Sequence, residues 1–70
     1  MIIYGKDNCP YCEMAKKLAP DAEYINLSDR ADLREHFIEK GFKTVPIVYT
    51  DQIGYIGGYE ELKEHLNENR

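Results

Sequence analysis

Two cysteines three residues apart, Cys9 and Cys12, with Pro10 and Tyr11 between them, restrict this chain more than any other feature. Pro10 suits the first position of a helix, where its missing N–H costs nothing and its φ is already helical. In a helix started there, Cys9 and Cys12 become neighbours across one turn. Their Cα atoms then fall within the roughly 4.4–6.8 Å that a disulfide requires, so the pair can open and close with little backbone movement. Cys9 takes the N-cap position, where unpaired N–H groups and the positive end of the helix dipole stabilise a thiolate. Thiols in such motifs titrate between roughly 3.5 and 7.5. Lys6, three residues upstream, adds positive charge. Cys12 lies one turn in, more shielded and less helped by the helix end. The asymmetry reads Cys9 as the attacking nucleophile and Cys12 as the resolving thiol.

Other uses of the pair fit less well. A zinc site needs a second close pair of Cys or His. His36 and His65 are far apart in the sequence and fall on different predicted helices, so no metal site is assigned. A purely structural disulfide belongs to an oxidising compartment. The first residues, Met1 to Gly5, are too short for a signal peptide, and no apolar run approaches the ~20 residues of a membrane span. The reading is therefore cytoplasmic. Thirteen acidic residues against nine Lys and Arg, a net charge of −4, argue against nucleic acid and anionic membrane as partners. Seventy residues make one small domain, 1–70, monomeric by default and too small for a large enclosed cavity.

The pattern along the chain alternates. Met1–Gly5 reads as a buried strand, Asp7 and Asn8 as a turn, and 10–19 as a helix ended by Pro20 and Asp21. Glu23–Leu27 is a second strand. Ser28 or Asp29 is expected to cap a helix to about Lys40, with Leu33 and Phe37 facing one core and Gly41 stopping it. Val45–Tyr49 is a third strand and Gly54–Ile56 a fourth, joined by a turn. Gly57-Gly58 opens a last helix from Tyr59 to about Asn67, with Leu62 and Leu66 inward. The order β-α-β-α-β-β-α makes an α/β protein with a four-stranded mixed sheet flanked by helices. Its first two strands are parallel through a right-handed crossover, and its last two form an antiparallel hairpin. C-x-x-C beside such a pattern is a redox signal.

Cys9-Pro10-Tyr11-Cys12 resembles the active-site tetrapeptide of dithiol glutaredoxins. Ile3-Tyr4-Gly5-Lys6 is similar to that family's first strand and active-site lysine, and Thr44-Val45-Pro46 and Ile56-Gly57-Gly58-Tyr59 resemble its other two signatures, in the same order. Together with the elements between them, these blocks cover nearly the whole chain. The resemblance implies a thioredoxin-like fold. It also implies a cis Val45–Pro46 bond facing the cysteines, and a glutathione site in which Val45 pairs with the ligand like an added strand. Lys6 would meet the glycyl carboxylate, with Lys43 assisting. The free N–H groups at Gly57-Gly58 would suit the other carboxylate. Glu61 stands where the family carries an acid for the ammonium group, there usually an aspartate. Tyr11, Thr44, Pro46, Gly58 and Tyr59 complete the expected glutathione contacts.

Several of these residues have ordinary readings too. Glu60 and Glu61 complement a helix dipole, and Lys43, Lys16 and Lys17 suit a solvated face. Tyr4, Tyr24, Phe37 and Met14 suit a core. The expected function is that of a glutathione-dependent thiol–disulfide oxidoreductase. Glutathione is its co-substrate and no cofactor is tightly bound. Its partners are disulfide-bonded or glutathionylated proteins, with ribonucleotide reductase among the acceptors the resemblance allows. The alternatives are a small redoxin recharged by thioredoxin reductase and a metal- or iron–sulfur-binding module of the same fold. Pro10 and Tyr11 stiffen the motif against the latter.

Overall fold

The computed structural model describes residues 1–68. The elements are β1 (Ile2–Gly5), α1 (Pro10–Leu18), β2 (Glu23–Asn26), α2 (Ala31–Glu39), β3 (Ile47–Thr50), β4 (Gly54–Gly57) and α3 (Tyr59–Glu68), with a 3₁₀ turn at Leu27–Asp29. They form the expected thioredoxin-like α/β arrangement, with one four-stranded sheet in the order β2-β1-β3-β4. β1 runs parallel to β2 and antiparallel to β3, and β3 pairs antiparallel with β4 through a register shift at Val48/Tyr49. Among the described residues no helix is long and apolar enough to cross a membrane.

Alternation along the central strands divides the core in two. Ile3 faces its register partner Val48, and both pack with Ala15 of α1 and Leu62 of α3. Tyr4 and its partner Ile47 point the other way, onto Phe37 of α2 and Leu27. Tyr4 meets Phe37 edge-on at 4.8 Å between ring centroids, and Phe37 meets Phe42 at 5.2 Å. α1 and α3 therefore cover one face of the sheet and α2 the other.

The end of α2 aims the next segment. Gly41 takes a φ of +91°, open to glycine and costly for most other residues. Its N–H donates to the Ile38 carbonyl, and the Phe42 N–H donates to the Phe37 carbonyl at 2.9 Å. This is a Schellman stop, with the customary apolar contact supplied by Phe37 and Phe42. It turns the chain into 43–46, the approach to β3.

Three local expectations change. Ser28 and Asp29 do not cap α2. They lie in the 3₁₀ turn, which Asn26 caps by accepting from the Ser28 N–H, and α2 begins after Arg30 without a side-chain cap. The third strand starts at Ile47 rather than Val45, because Pro46 has no N–H for the ladder and its peptide bond is cis. Met14 is 43% exposed, since α1 presents Cys12 and Ala15 inward and Met14 falls off that stripe. Lys16 is exposed as expected, but its ammonium sits 4.7 Å over the Tyr24 ring. Partial burial, with Glu13 and Asp7 nearby, pushes the Tyr24 phenol up from its ordinary value.

Leu62 is fully buried at the junction of α3 and the sheet, whereas Ile38 is 64% exposed on α2. Leu62→Ala should lower unfolding stability by about 2–5 kcal/mol in urea titration. Ile38→Ala should change it by no more than about 0.5 kcal/mol. Equal losses would contradict this account of the core.

Candidate active site

The loop between β1 and α1 sets the cysteines. Asn8 adopts a left-handed φ of 57°, which its side-chain type tolerates, and turns the chain into the helix. The loop is tied to the β2 end. Asn26 donates to the Asp7 carboxylate at 2.8 Å, and the Asp7 N–H donates to the Ser28 hydroxyl at 3.0 Å. Cys9 then stands as the N-cap of α1 with extended backbone, and Pro10 opens the helix. The Cys12 N–H donates to Cys9 Sγ at 3.2 Å, so sulfur does the work usually done by a Ser or Asp oxygen. The two cysteines are joined as a disulfide with Cα atoms 5.2 Å apart, inside the accessible range. Cys9 retains 9% exposure and Cys12 none. An incoming sulfur therefore reaches Cys9.

Two clefts share Thr44 and Val45 in their linings, and one of them takes in Tyr11, which stands between the two cysteines. One, of about 240 Å³, is lined by Tyr11, Thr44, Val45, Pro46, Gly58, Tyr59, Glu60 and Glu61. The Tyr11 and Tyr59 rings lie 5.8 Å apart on its side. The other, of about 250 Å³, has an apolar floor that includes Phe37, Ile38 and Phe42, and its charged lining is Lys6, Arg34 and Lys43. The Val45–Pro46 bond is cis, as the resemblance implied, and Pro46 is buried.

The two adjoining clefts, taken together, are thus electrically polarised in a chain whose net charge is negative. The cationic end carries Lys6, Arg34 and Lys43, and the acidic end Glu60 and Glu61. The structure brings Tyr11, Thr44, Val45, Pro46, Gly58, Tyr59 and Glu61 to one cleft, and Lys6 to the adjoining one with Lys43. At the start of α3 it differs from expectation. The Gly58 N–H, expected to be free, donates to Glu61 Oε1 at 2.7 Å.

Sequence reasoning passed over Arg34, which lines the cationic end while its guanidinium donates to the Leu27 carbonyl at 3.0 Å. Its signal is faint: it is the polar residue one turn before Phe37, at the rim of the apolar stripe of α2. The bracing by Asp7, Asn26 and Ser28 was also missed, because residues 19 or 21 apart carry no local pattern.

The family model described as Glutaredoxin matches residues 1–53. The chain is 31% identical over 80 aligned positions to glutaredoxin 1 of Escherichia coli K12, covering 97% of this chain and 93% of that one. It is 32% identical over 59 positions to the glutaredoxin-like protein NrdH of Lactococcus lactis subsp. cremoris, covering 79% and 82% respectively. The crystal structure of glutaredoxin 1 from Francisella tularensis, complexed with cacodylate, superposes with a TM-score of 0.77. It is 26% identical, over 97% of this chain and 92% of that one.

The exposure difference orders the reactivity of the reduced thiols. Limiting iodoacetamide at neutral pH should label Cys9 at least about tenfold faster than Cys12, read by peptide mass spectrometry. Preferential labelling of Cys12 would contradict the assignment of the nucleophile.

Proposed function

The chain belongs to the glutaredoxin family, and on that premise we propose that it is a dithiol glutaredoxin driven by glutathione. Family membership with a closed cysteine pair makes it a thiol–disulfide oxidoreductase. Glutathione dependence is the further step. The observation that carries it is the polarity of the groove beside Cys9, with cations at one end and carboxylates at the other. Glutathione carries a lone carboxylate at its glycyl end and an ammonium with a carboxylate at its γ-glutamyl end. Lys6, Arg34 and Lys43 suit the first, and the start of α3 with Glu60 and Glu61 suits the second. Val45, at the junction of the clefts, suits the cysteinyl backbone between them, and the Tyr11 and Tyr59 rings wall that passage.

In the reaction, the Cys9 thiolate attacks one sulfur of a protein disulfide and expels the other as thiolate. Cys12 then attacks Cys9 Sγ, releasing the substrate as a dithiol and closing the Cys9–Cys12 bond. Two electrons have passed from the pair to the substrate. A glutathione thiolate reopens the bond at Cys9, leaving Cys12 as a thiol. A second glutathione takes the first away as glutathione disulfide and frees the Cys9 thiolate. Thiolate character and leaving-group pKa govern each exchange. The Cys12 N–H that reaches Cys9 Sγ favours charge on that sulfur. Glutathionylated proteins enter the cycle at the Cys9 mixed disulfide and do not need Cys12. Disulfide-bonded proteins, ribonucleotide reductase among them, are the proposed physiological acceptors, in a cytoplasmic setting, with no resident cofactor.

A second reading, recharging by thioredoxin reductase, draws support from the similarity to the glutaredoxin-like protein NrdH and from the occupied Gly58 N–H. A coupled assay with NADPH, glutathione reductase, glutathione and a small glutathione mixed disulfide separates the two. Wild type and Cys12→Ser should be active and Cys9→Ser inactive. Lys6→Gln should raise the glutathione KM about two- to fivefold, as for an exposed ion pair. Absence of wild-type turnover here, with turnover on NADPH and thioredoxin reductase, would establish the second reading.

A further inference from the structure

The cleft beside α2 is wider and richer than the glycyl end of glutathione needs. It measures about 250 Å³, and its charged lining is Lys6, Arg34 and Lys43, with no carboxylate among the lining residues. Arg34 commits one guanidinium N–H to the Leu27 carbonyl and keeps its remaining donors for a ligand. Three cations gathered without an acid run against the balance of a chain with thirteen acidic residues and nine Lys and Arg. A glycyl end brings one carboxylate and no side chain. One carboxylate does not match three cations, and a glycine covers none of the apolar floor.

That floor opens onto an apolar surface that the core does not use. Ile38 is 64% exposed although it follows buried Phe37 on α2. Phe42 lines the same cleft and meets the Tyr55 ring edge-on, 4.9 Å between centroids. Tyr55, on β4, is itself 50% exposed. Ile38 and Tyr55 belong to neither core cluster. A lone exposed apolar residue is ordinary, whereas joined ones rimmed by polar groups mark a contact surface.

The charge says what the surface contacts, and the neighbouring cleft says from which direction. Thr44 and Val45 line both clefts. In the glutathione reading Val45 meets the cysteinyl backbone and the glycyl end points to the cations. A substrate backbone entering the same way sends the residues that follow its cysteine into this cleft. Side chains of an extended chain alternate in direction. Two acids flanking an apolar residue therefore turn toward the rim while the apolar residue turns toward the floor.

We propose that this cleft is a docking surface for protein substrates whose attacked cysteine is followed by an acidic segment carrying an apolar side chain. The apolar side chain lies on Ile38 and Phe42, and the carboxylates pair with Lys6, Arg34 and Lys43. This rests on the glutathione reading for its direction and adds a class of protein substrate to it.

Single-cysteine peptides, carried as mixed disulfides with nitrothiobenzoate, test it on the reduced, full-length Cys12→Ser protein. The Cys9 thiolate attacks the peptide sulfur and a Cys9–peptide disulfide forms. Nitrothiobenzoate leaves with the bonding electron pair and reports by its colour. Half-saturating concentrations are compared for peptides ending Cys-Asp-Leu-Asp, Cys-Asp-Ala-Asp and Cys-Ser-Leu-Ser, for one with Asp-Leu-Asp before the cysteine, and for glutathione carried the same way. Ala in place of Leu should raise the value about three- to tenfold. Ser in place of both Asp should raise it about two- to fivefold at low salt, a difference that about 0.5 M salt removes. Ile38→Ala should cut the Leu-to-Ala ratio at least about twofold while Ile38→Leu keeps it, and Lys43→Gln should narrow the Asp-to-Ser ratio. Equal values for all the peptides, with glutathione still saturating, would overturn the proposal alone. A preference for the segment placed before the cysteine would overturn it together with the orientation assigned to glutathione. Failure of glutathione to saturate, with the peptides discriminated as stated, would remove the glutathione reading and support the docking surface. A dimer in sedimentation that is lost in Ile38→Ala would give the cleft to a second copy of the chain and overturn the proposal.

Discussion

Everything in this site depends on one hydrogen bond, from the Cys12 N–H to Cys9 Sγ. It makes Cys9 Sγ the cap of α1, so the sulfur proposed as nucleophile is the one that closes the helix end. The rest of the local structure serves that placement. Asn8 turns the chain through a left-handed φ, Pro10 starts the helix, and Asp7, Asn26 and Ser28 pin the loop to the β2 end. Ala15, one turn beyond Cys12, is fully buried against Ile3, Val48 and Leu62, which fixes α1 against the sheet. Cys9, 9% exposed, is thus held at the helix start by an exposed loop on one side and a buried helix turn on the other.

The groove beside it comes from the opposite sheet face. Phe37 anchors α2, the Schellman stop at Gly41 returns the chain, and Phe42 packs back on Phe37. The returning segment then carries Lys43, Thr44, Val45 and the cis-linked Pro46 to the two clefts before β3 begins. A small chain obtains a bipolar binding groove by running one loop between a cationic α2 rim and an acidic α3 start. In the proposed reading, reactivity comes from the helix cap, and ligand orientation from charge separation along the groove.

Much of this was legible because the signals are local. The element order follows from apolar periodicity and from Pro10, Gly41 and Gly57-Gly58, each of which acts on its own neighbours. Cys9 as cap and Cys12 as buried partner follow from a spacing of three. The cis bond at Pro46 came from resemblance, since nothing in local propensity demands it. What stayed hidden needed the fold. Ser28 looked like a helix cap, yet its hydroxyl serves Asp7 twenty-one residues away. Arg34 carries only a faint local signal, and the fold alone brings it to the cleft that Lys6 and Lys43 also line. Glu61 had two plausible local roles, and only the closeness of Gly57 and Gly58 to its side chain shows the one it fills in the free protein.

The central claim is that glutathione lies along this groove with its glycyl end at the cations and its γ-glutamyl end at α3. The most direct measurement joins isotope-labelled glutathione to Cys9 as a mixed disulfide in the Cys12→Ser protein and records intermolecular NOEs. The account expects glycyl protons near Lys6 and Phe42, cysteinyl protons near Val45, and γ-glutamyl protons near Gly58 and Tyr59. A reversed orientation, or a tethered glutathione that contacts neither end of the groove, would contradict it.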